Sequence, residues 1–259
     1  MKCIASWSGG KDSTASIILA HENNEPLDLI IFSEVMFDKN ISGELPEHID
    51  FIKNKCIPLF ESWGYETKIL HSDKTYCDEF FRIIQKSKKG RNGKKVGFPL
   101  SGKCFVNSRC KIRPIESFWK SVSYEYTQYI GIAVDEPVRL NRVVKTINQI
   151  SLLQKYGYTE KMAFELCEKY GLLSPIYRIS NRGGCWFCPN AKDRELKHLR
   201  NNHRELWGKL LELENVPDLI GYKWNMLAKT SIHDKEEQFF WEDNQINLFD
   251  YARSLETTI

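Results

Sequence analysis

Six residues near the start of the chain combine glycines, hydroxyls, a lysine and a carboxylate, a set suited to holding phosphate. Residues 8–13 have the sequence Ser-Gly-Gly-Lys-Asp-Ser and lie between an apolar run at residues 3–5 and a helix-forming run at residues 13–20. The first N–H groups of a helix have no intrahelical partners, and the helix dipole favours negative charge there. We therefore predict a strand, a phosphate-binding loop and a helix in this order.

Each residue type in this loop has an expected role. We predict that Ser8, Gly9, Gly10 and Ser13 hold the phosphates. The glycines let the backbone approach a phosphate, and the serines add O–H donors. Lys11 is expected to offset the charge that builds on a pyrophosphate leaving group. Asp12 is expected either to position Mg²⁺ or to stabilise the helix start as an N-terminal carboxylate.

Four of the eight cysteines have a spacing that suits a metal site. Cys185 and Cys188 form a Cys-x-x-Cys pair that follows two glycines, while Cys104 and Cys110 are separated by five residues. Together they provide four soft ligands, enough for a tetrahedral Zn²⁺ site or a [4Fe–4S] cluster. The spacing leaves the choice of metal open, and it also leaves open two unrelated cysteine pairs.

Three further cysteines lie in segments that predict regular structure. Cys3 lies in a predicted strand, and Cys56 and Cys167 lie in predicted helices. Because a buried free cysteine behaves as a small hydrophobic side chain, we expect packing roles for these three. Cys77 stays unassigned.

The composition is typical of a globular protein in a reducing compartment. The 259 residues are 42% hydrophobic and 27% charged, with a formal net charge of +3. That charge is too small to indicate nucleic-acid binding by itself. Met1 leads almost directly into the first strand, and no apolar segment is long enough for a signal peptide or a membrane span. We expect a cytoplasmic protein whose cysteines are thiols or metal ligands.

The elements that must position the loop alternate between strands and helices. Apolar runs predict strands at residues 26–34, 65–70 and 126–133, and the first of these follows the loop by one helix. Such a unit predicts a parallel sheet, whose ligands gather at the carboxyl ends of its strands. Further helices are expected at residues 46–63, 78–88, 115–122, 143–156, 160–170 and 192–213. We expect an α/β fold with an open, mainly parallel sheet flanked by helices, with a nucleotide-binding domain at residues 1–140 and a helical, cysteine-bearing region at residues 141–259.

The Ser-Gly-Gly-x-Asp-Ser pattern of residues 8–13 resembles the pyrophosphate loop, or PP-loop, of the adenine nucleotide α-hydrolase-like superfamily. Within that superfamily the chain resembles the PAPS reductase-like family, with similar segments at residues 44–47, 111–115 and 131–139. The resemblance implies a Rossmann-like fold and an adenine nucleotide such as ATP. It also implies nucleotide contacts from Glu34, Gly131 and Arg139. Since the related reductases bind a [4Fe–4S] cluster through similar cysteines, it favours that cluster, with zinc as the alternative.

Two departures separate this chain from a working sulfonucleotide reductase. Ala133 and Val134 stand where the reductases have paired arginines that grip the sulfate, so bidentate contacts would be lost. No cysteine follows Cys188, whereas the reductases carry a nucleophilic cysteine near their C-terminus. We therefore predict an enzyme that cleaves ATP to AMP and pyrophosphate to activate a substrate, with sulfur transfer as the more specific form. The alternatives are a sulfonucleotide (PAPS or APS) reductase, a non-catalytic nucleotide sensor and a zinc-stapled nucleic-acid-binding module.

A basic run at residues 86–95 bears on the partners of the protein. It predicts either a solvated loop or a lid or contact to a phosphate-rich partner. Besides an adenine nucleotide, we expect a nucleic acid or a sulfur-donor protein as a candidate partner and no membrane. Homodimer formation is left open.

Overall fold

The chain folds into two compact units, each assembled from two separate stretches of sequence. The computed structural model describes residues 1–99, 104–143, 148–181 and 183–256. The first unit comprises Met1–Tyr76 and Val106–Trp186, and the second comprises Cys77–Phe105 and Phe187–Ile259. The contacts divide the chain into interleaved stretches, whereas the predicted division into residues 1–140 and 141–259 is a single cut in the sequence.

The strands of the described residues form two sheets. In chain order they are β1 (Lys2–Trp7), β2 (Leu29–Glu34), β3 (Glu66–His71), β4 (Lys95–Gly97), β5 (Tyr126–Tyr129), β6 (Gln149–Ile150) and β7 (Leu219–Gly221). Five of them form one parallel sheet in the order β3-β2-β1-β5-β6, and β4 pairs in parallel with β7. The predicted α/β fold with an open parallel sheet flanked by helices is confirmed.

Helices connect the strands. They are α1 (Lys11–Glu22), α2 (Pro46–Asp50), α3 (Ile57–Ser62), α4 (Tyr76–Phe80), α5 (Arg113–Ser121), α6 (Pro137–Val143), α7 (Leu152–Lys155), α8 (Glu160–Lys169), α9 (Asp193–Asn202), α10 (Arg204–Glu214) and α11 (Ile232–Glu256). Two π-helical stretches, Phe51–Cys56 and Asn107–Ile112, lead into α3 and α5, and a 3₁₀ turn spans Pro175–Arg178. Among the described helices, none combines the length and the apolar character that crossing a bilayer requires.

Side chains of β1 alternate between two hydrophobic cores, one on each face of the large sheet. Successive side chains of a strand point to opposite faces. Cys3, Ala5 and Trp7 join the core that includes residues of α1, α7 and α8, whereas Ile4 joins the core against which α5 packs. Burying one large apolar side chain stabilises a fold by about 1.5–3 kcal/mol, so both faces hold the sheet in place.

The helix predicted at residues 78–88 is wrong beyond α4, because the following residues form an antiparallel hairpin. Ile83 bridges Lys95, and the N–H of Val96 donates to the carbonyl of Arg82 at 3.0 Å. The backbone of the segment after α4 pairs with residues about ten positions further along the chain. A local pattern of apolar residues does not reveal such pairing. The basic run at residues 86–95 therefore contains the turn of a hairpin, which we call the basic hairpin.

The helix predicted at residues 143–156 is wrong over the part that forms β6. Gln149 and Ile150 pair with Gln128 and Tyr129 at the edge of the large sheet. A helix resumes only at α7, where the Ser151 side chain caps the first turn by accepting from the N–H of Gln154. Residues 144–147 lie outside the described residues.

The two later helix predictions have different outcomes. The helix at residues 160–170 is confirmed as α8, with Thr159 capping it by accepting from the N–H of Met162 at 3.2 Å and Gly171 following it at φ +64°. The single helix predicted at residues 192–213 is instead two helices, α9 and α10, because His203 between them has a non-helical φ of −135°.

Candidate functional site

The candidate loop lies where the order of strands in the large sheet reverses. The chain runs from the central β1 to β2 and β3 on one side, and later places β5 and β6 on the other side. In open parallel sheets, ligands bind outside the carboxyl ends of the strands at such a point. Residues 8–10 follow β1 there, and residues 130–131 follow β5.

Hydrogen bonds within the loop fix its shape. The N–H of Ser8 donates to Oγ of Ser13 at 3.2 Å, and the Ser13 hydroxyl donates to the carbonyl of Gly10 at 3.0 Å. The two serine Oγ atoms lie 3.1 Å apart, so their hydroxyls are adjacent. A buried hydrogen bond of 2.9 Å from the Trp7 indole N–H to Oγ1 of Thr14 joins the end of β1 to α1.

Close contacts with neighbouring atoms require glycine at two positions of the site. Gly9 has a φ of +74°, and a Cβ there would lie 2.7 Å from Cδ1 of Ile52 and 2.8 Å from the imidazole of His48. A Cβ on Gly131 would lie only 2.4 Å from the backbone nitrogen of Ser13. Gly131 therefore brings the end of β5 into direct contact with the first turn of α1.

The Lys11 backbone at the start of α1 has partners from distant parts of the chain. Its N–H donates to the phenol oxygen of Tyr177 at 2.8 Å, and its carbonyl accepts from the thiol of Cys167 at 3.2 Å. Burial raises the pKa of Tyr177 and outweighs the opposing effect of the Lys11 N–H, so the phenol keeps its proton at neutral pH. An oxygen atom thus lies where a helix-start N–H would meet a phosphate oxygen.

The side chains of Lys11 and Asp12 belong to one charged cluster. Nζ of Lys11 lies 2.7 Å from Oδ1 of Asp12 and 3.0 Å from Oε1 of Glu160. The carboxylates of Asp12, Glu136 and Glu160 offer oxygen atoms within 4.8 Å of one another, close enough to share a cation. The cluster therefore places one ammonium among three carboxylates.

Burial and neighbouring charges shift the pKa values of this cluster. Burial raises the pKa of Asp12, and the carboxylates of Glu160 and Glu136 add to this rise against the opposing effect of Lys11. Burial lowers the pKa of Lys11, but the hydrogen bonds to Asp12 and Glu160 outweigh it, so the net pKa is raised and the ammonium stays charged.

Glu34 and Arg139, the other predicted nucleotide contacts, have protein partners in the structure. Glu34 is 1% exposed at the end of β2, and its carboxylate lies 3.0 Å from Nζ of Lys53 and 2.9 Å from Nε2 of His71. Burial raises the pKa of Glu34, but these hydrogen bonds outweigh it and the net pKa is lowered, so the carboxylate is ionised. Nη1 of Arg139 lies 2.5 Å from Oε1 of Glu136. Their contact with a nucleotide stays a prediction.

The four predicted metal ligands are divided between the two units. Cys110 and Cys185 lie in the first unit, and Cys104 and Cys188 lie in the second. Cys110 is buried, Cys104 is exposed, and the other two are partly exposed. All eight cysteines are among the described residues, and none of them is in a disulfide. The assignment of these four to a metal stays a prediction.

Sequence reasoning missed the residues that reach the loop from later in the chain. Tyr177, Glu160 and Cys167 contact Lys11 across separations of 149 to 166 residues, and no local pattern marks them. His48 directly follows residues 44–47, a segment singled out in the sequence, but its position beside Gly9 was not predicted.

Comparison with known proteins finds distant similarities and no matching family model. A curated relative, the uncharacterised protein MJ0973 of Methanocaldococcus jannaschii, is 22% identical over 223 residues. The match covers 80% of this chain and 46% of the relative, so the chain spans about half the length of the curated relative that it matches. A similar solved structure is the U34-tRNA thiolase NcsA from Methanococcus maripaludis with its [4Fe–4S] cluster, at 18% identity and a TM-score of 0.43, covering 89% of this chain and 78% of that one. At these values neither similarity assigns a function to this chain.

Replacing Gly131 should destabilise the protein and displace the loop, because a new Cβ would overlap the backbone of Ser13. For Gly131→Ala we expect the free energy of unfolding, measured with urea, to fall by about 1–3 kcal/mol, as in overpacked cores. Gly208→Ala is the matched control, since a Cβ on this helical glycine meets no atom within 4 Å and a gain of about 0.4–1 kcal/mol is expected. Equal stability of Gly131→Ala and the wild type would contradict the close contact.

Proposed function

We propose that this chain is an enzyme that binds ATP on residues 8–13, transfers the adenylyl group to an acceptor and releases pyrophosphate. The observation that supports it best is the hydrogen bond from the N–H of Lys11 to an oxygen atom at the helix start. The hydroxyls of Ser8 and Ser13 lie at the same loop, at the reversal point of the sheet. Backbone donors at such a place favour phosphate oxygens.

In the proposed reaction the loop holds the β- and γ-phosphates while an acceptor oxygen attacks the α-phosphorus. A bond forms between these two atoms, the bond from the α-phosphorus to the bridging oxygen breaks, and its electron pair leaves with pyrophosphate. The hydroxyls of Ser8 and Ser13 would donate to this leaving group. The N–H of Lys11 would donate to it in place of the phenol of Tyr177, which occupies that position in the structure. Because its charge rises as the bond breaks, donors fixed in advance favour the transition state.

The charged cluster would balance the charge of the bound nucleotide. In the proposed function the Lys11 ammonium exchanges the carboxylates of Asp12 and Glu160 for oxygens of the leaving group. Those carboxylates and that of Glu136 would hold Mg²⁺, whose preference for oxygen ligands and for substrate phosphates this donor set fits. When bound, Mg²⁺ would supply further neutralisation of the phosphates.

The four spaced cysteines are proposed to hold a [4Fe–4S] cluster, with Zn²⁺ as the alternative metal. The donor set fits either group, because Cys104, Cys110, Cys185 and Cys188 are thiols outside disulfides. When bound, the cluster would supply iron that carries sulfur to the activated acceptor, whereas zinc would supply structure alone. The solved thiolase is described with such a cluster, and sulfur transfer of that kind is the specific form of the proposal.

The acceptor is proposed to be a nucleic acid, which the basic hairpin would contact. Six of the ten residues at positions 86–95 are lysine or arginine, and none is acidic. The side chains of Lys86, Lys88 and Lys89 near the turn are exposed. Such clusters bind phosphate backbones by releasing counterions, which makes the affinity depend on salt.

Removal of the Ser13 hydroxyl should weaken ATP binding about tenfold, because one donor and the bonds to Ser8 and Gly10 are lost. Ser16→Ala is the matched control for Ser13→Ala. Ser16 lies on the same helix, is 3% exposed and has an Oγ without a hydrogen-bond partner among the described residues, so its removal should leave the affinity nearly unchanged. Titration calorimetry with ATP and Mg²⁺ measures both variants.

A second readout of the same site is pyrophosphate release in the presence of candidate RNA acceptors. Lys11→Met should slow release by about a hundredfold or more, since it removes a charge that acts on the leaving group. Equal ATP affinity in wild type and Ser13→Ala would contradict the loop assignment. Products of ADP and phosphate, in place of AMP and pyrophosphate, would contradict adenylyl transfer.

Protein purified without oxygen should absorb broadly in the visible range and contain about four iron atoms per chain. Cys185→Ser should lose the colour and the iron. Cys56→Ala is the control, because Cys56 is fully buried in the core and its loss should leave the colour intact. A colourless wild type that contains zinc would contradict the cluster and select the alternative metal.

Neutralising the turn of the basic hairpin should reduce the salt dependence of RNA binding. For Lys86, Lys88 and Lys89 replaced together by Gln, we expect the slope of log K against log salt for a tRNA transcript to fall by about two to three. A control with the exposed Lys39, Lys161 and Lys169 of the first unit replaced by Gln should keep the slope. An unchanged slope in the hairpin variant would exclude this contact without affecting the ATP assignment.

A further inference from the structure

His48 is a buried imidazole with one ring nitrogen beside the phosphate loop. It is 1% exposed, and its Nε2 and Cε1 atoms both lie 2.8 Å from the point where a Cβ on Gly9 would stand. No hydrogen bond of ordinary geometry reaches Nε2 from the described residues, although the Ser8 backbone lies near enough to act on the ring. A buried polar atom without a partner costs stability, so its retention here calls for a ligand.

The other ring nitrogen determines where the imidazole proton resides. Nδ1 of His48 lies 2.8 Å from Oγ of Ser174. That hydroxyl accepts from the N–H of Ile176 at 3.4 Å, and it can either donate its own proton to Nδ1 or accept one from it, according to the tautomer of the ring. With Nδ1 as acceptor, a neutral imidazole carries its proton on Nε2. In that tautomer, Nε2 is a hydrogen-bond donor beside Gly9.

The surroundings of His48 keep the ring neutral. Burial lowers the pKa of His48 and is the largest influence on it. The carboxylate of Glu44 and the backbone of Ser8 oppose this shift, Lys111 adds to it, and the net pKa is lowered.

Two glycines lie beside Nε2. A Cβ on Gly183 would lie 3.9 Å from this nitrogen, at ordinary van der Waals distance. The backbone of Gly9 lies close to the same nitrogen. An anion held by the loop would therefore find the N–H of His48 beside it.

We infer that Nε2–H of His48 donates a hydrogen bond to a phosphate oxygen of the nucleotide held on residues 8–13. The inference rests on the proposed function and adds a donor from α2 to those of the loop and α1. Hydrogen bonds from a fixed N–H to a charged phosphate are about twice as strong as those between neutral groups. His48 would thus recognise the phosphates and not the base or the ribose.

Calorimetric titration of His48→Leu, His48→Gln and wild type with ATP, pyrophosphate and adenosine tests this role. We expect His48→Leu to weaken ATP and pyrophosphate binding by about ten- to a hundredfold and to leave adenosine binding unchanged. His48→Gln, whose amide N–H₂ can take the place of Nε2–H, should recover part of the loss. Ser16→Ala again serves as the control, and thermal unfolding shows whether each variant is folded.

The outcomes separate this inference from the proposed function. Equal ATP affinity in folded His48→Leu and wild type would overturn the role of His48 and leave the ATP assignment standing. A wild type that binds neither ATP nor pyrophosphate would overturn both. Loss of adenosine binding along with pyrophosphate binding would show a structural role and overturn the inference.

A measurement on the wild type keeps the test independent of variant folding. With ¹⁵N-labelled histidine, the imidazole signals of His48 should show a neutral ring protonated on Nε2 in the free protein. Addition of pyrophosphate should shift the Nε2 signal and leave the ring neutral. An Nδ1–H ring, or an Nε2 signal that pyrophosphate does not move, would overturn the inference.

Discussion

The contact between the backbone of Gly131 and the first turn of α1 is the constraint on which the candidate site depends. It holds the end of β5 against Ser13, while the hydrogen bond from Trp7 to Thr14 holds the end of β1 to the same helix. The start of α1 is thereby fixed from two neighbouring strands. Donors fixed in this way need no rearrangement when charge develops on a ligand, which is how preorganised sites favour a transition state. Because Gly131 sets the distance between the end of β5 and the first turn of α1, the sheet determines where the N–H groups at the start of α1 lie.

Charge balance explains why a lysine and three carboxylates stand together beside an anion site. The ammonium of Lys11 lies among the carboxylates of Asp12, Glu136 and Glu160, and the guanidinium of Arg139 pairs with Glu136. Two positive charges against three carboxylates leave excess negative charge when all three are ionised. A pyrophosphate group would add to that excess at close range. In the proposed function a divalent cation would enter with the nucleotide and offset this excess charge. Burial is the main cause of the raised pKa of Asp12, and the neighbouring carboxylates of Glu160 and Glu136 add to it. The Lys11 ammonium would then neutralise charge on the phosphates, and the metal ion would neutralise charge on the carboxylates.

The parts of this protein that the sequence predicts are those set by neighbouring residues. Residues 8–13 and the strands on either side follow from glycine conformation, apolar runs and helix-start chemistry within a short window. The hairpin after α4 and the edge strand β6 were missed because their pairing partners lie outside such a window. Tyr177 and His48 reach the loop only through the fold, so their roles follow from contacts and burial. The division of the four spaced cysteines between two units likewise has no signal in their spacing.

Cys56 and Cys167 are buried in the core that includes residues of α1, and their surroundings keep them as neutral thiols. Burial raises the pKa of Cys167 to about 12, and it also raises that of Cys56, so both are neutral thiols at pH 7. Cys167 donates its proton to the carbonyl of Lys11, a bond that a thiolate could not make. The hydrogen bond that supports the loop therefore needs the raised pKa, which keeps Cys167 protonated. Both residues are thus packing thiols, as predicted from their place in helices. Metal or sulfur chemistry needs thiolates, and in the proposed function it falls to cysteines outside this core.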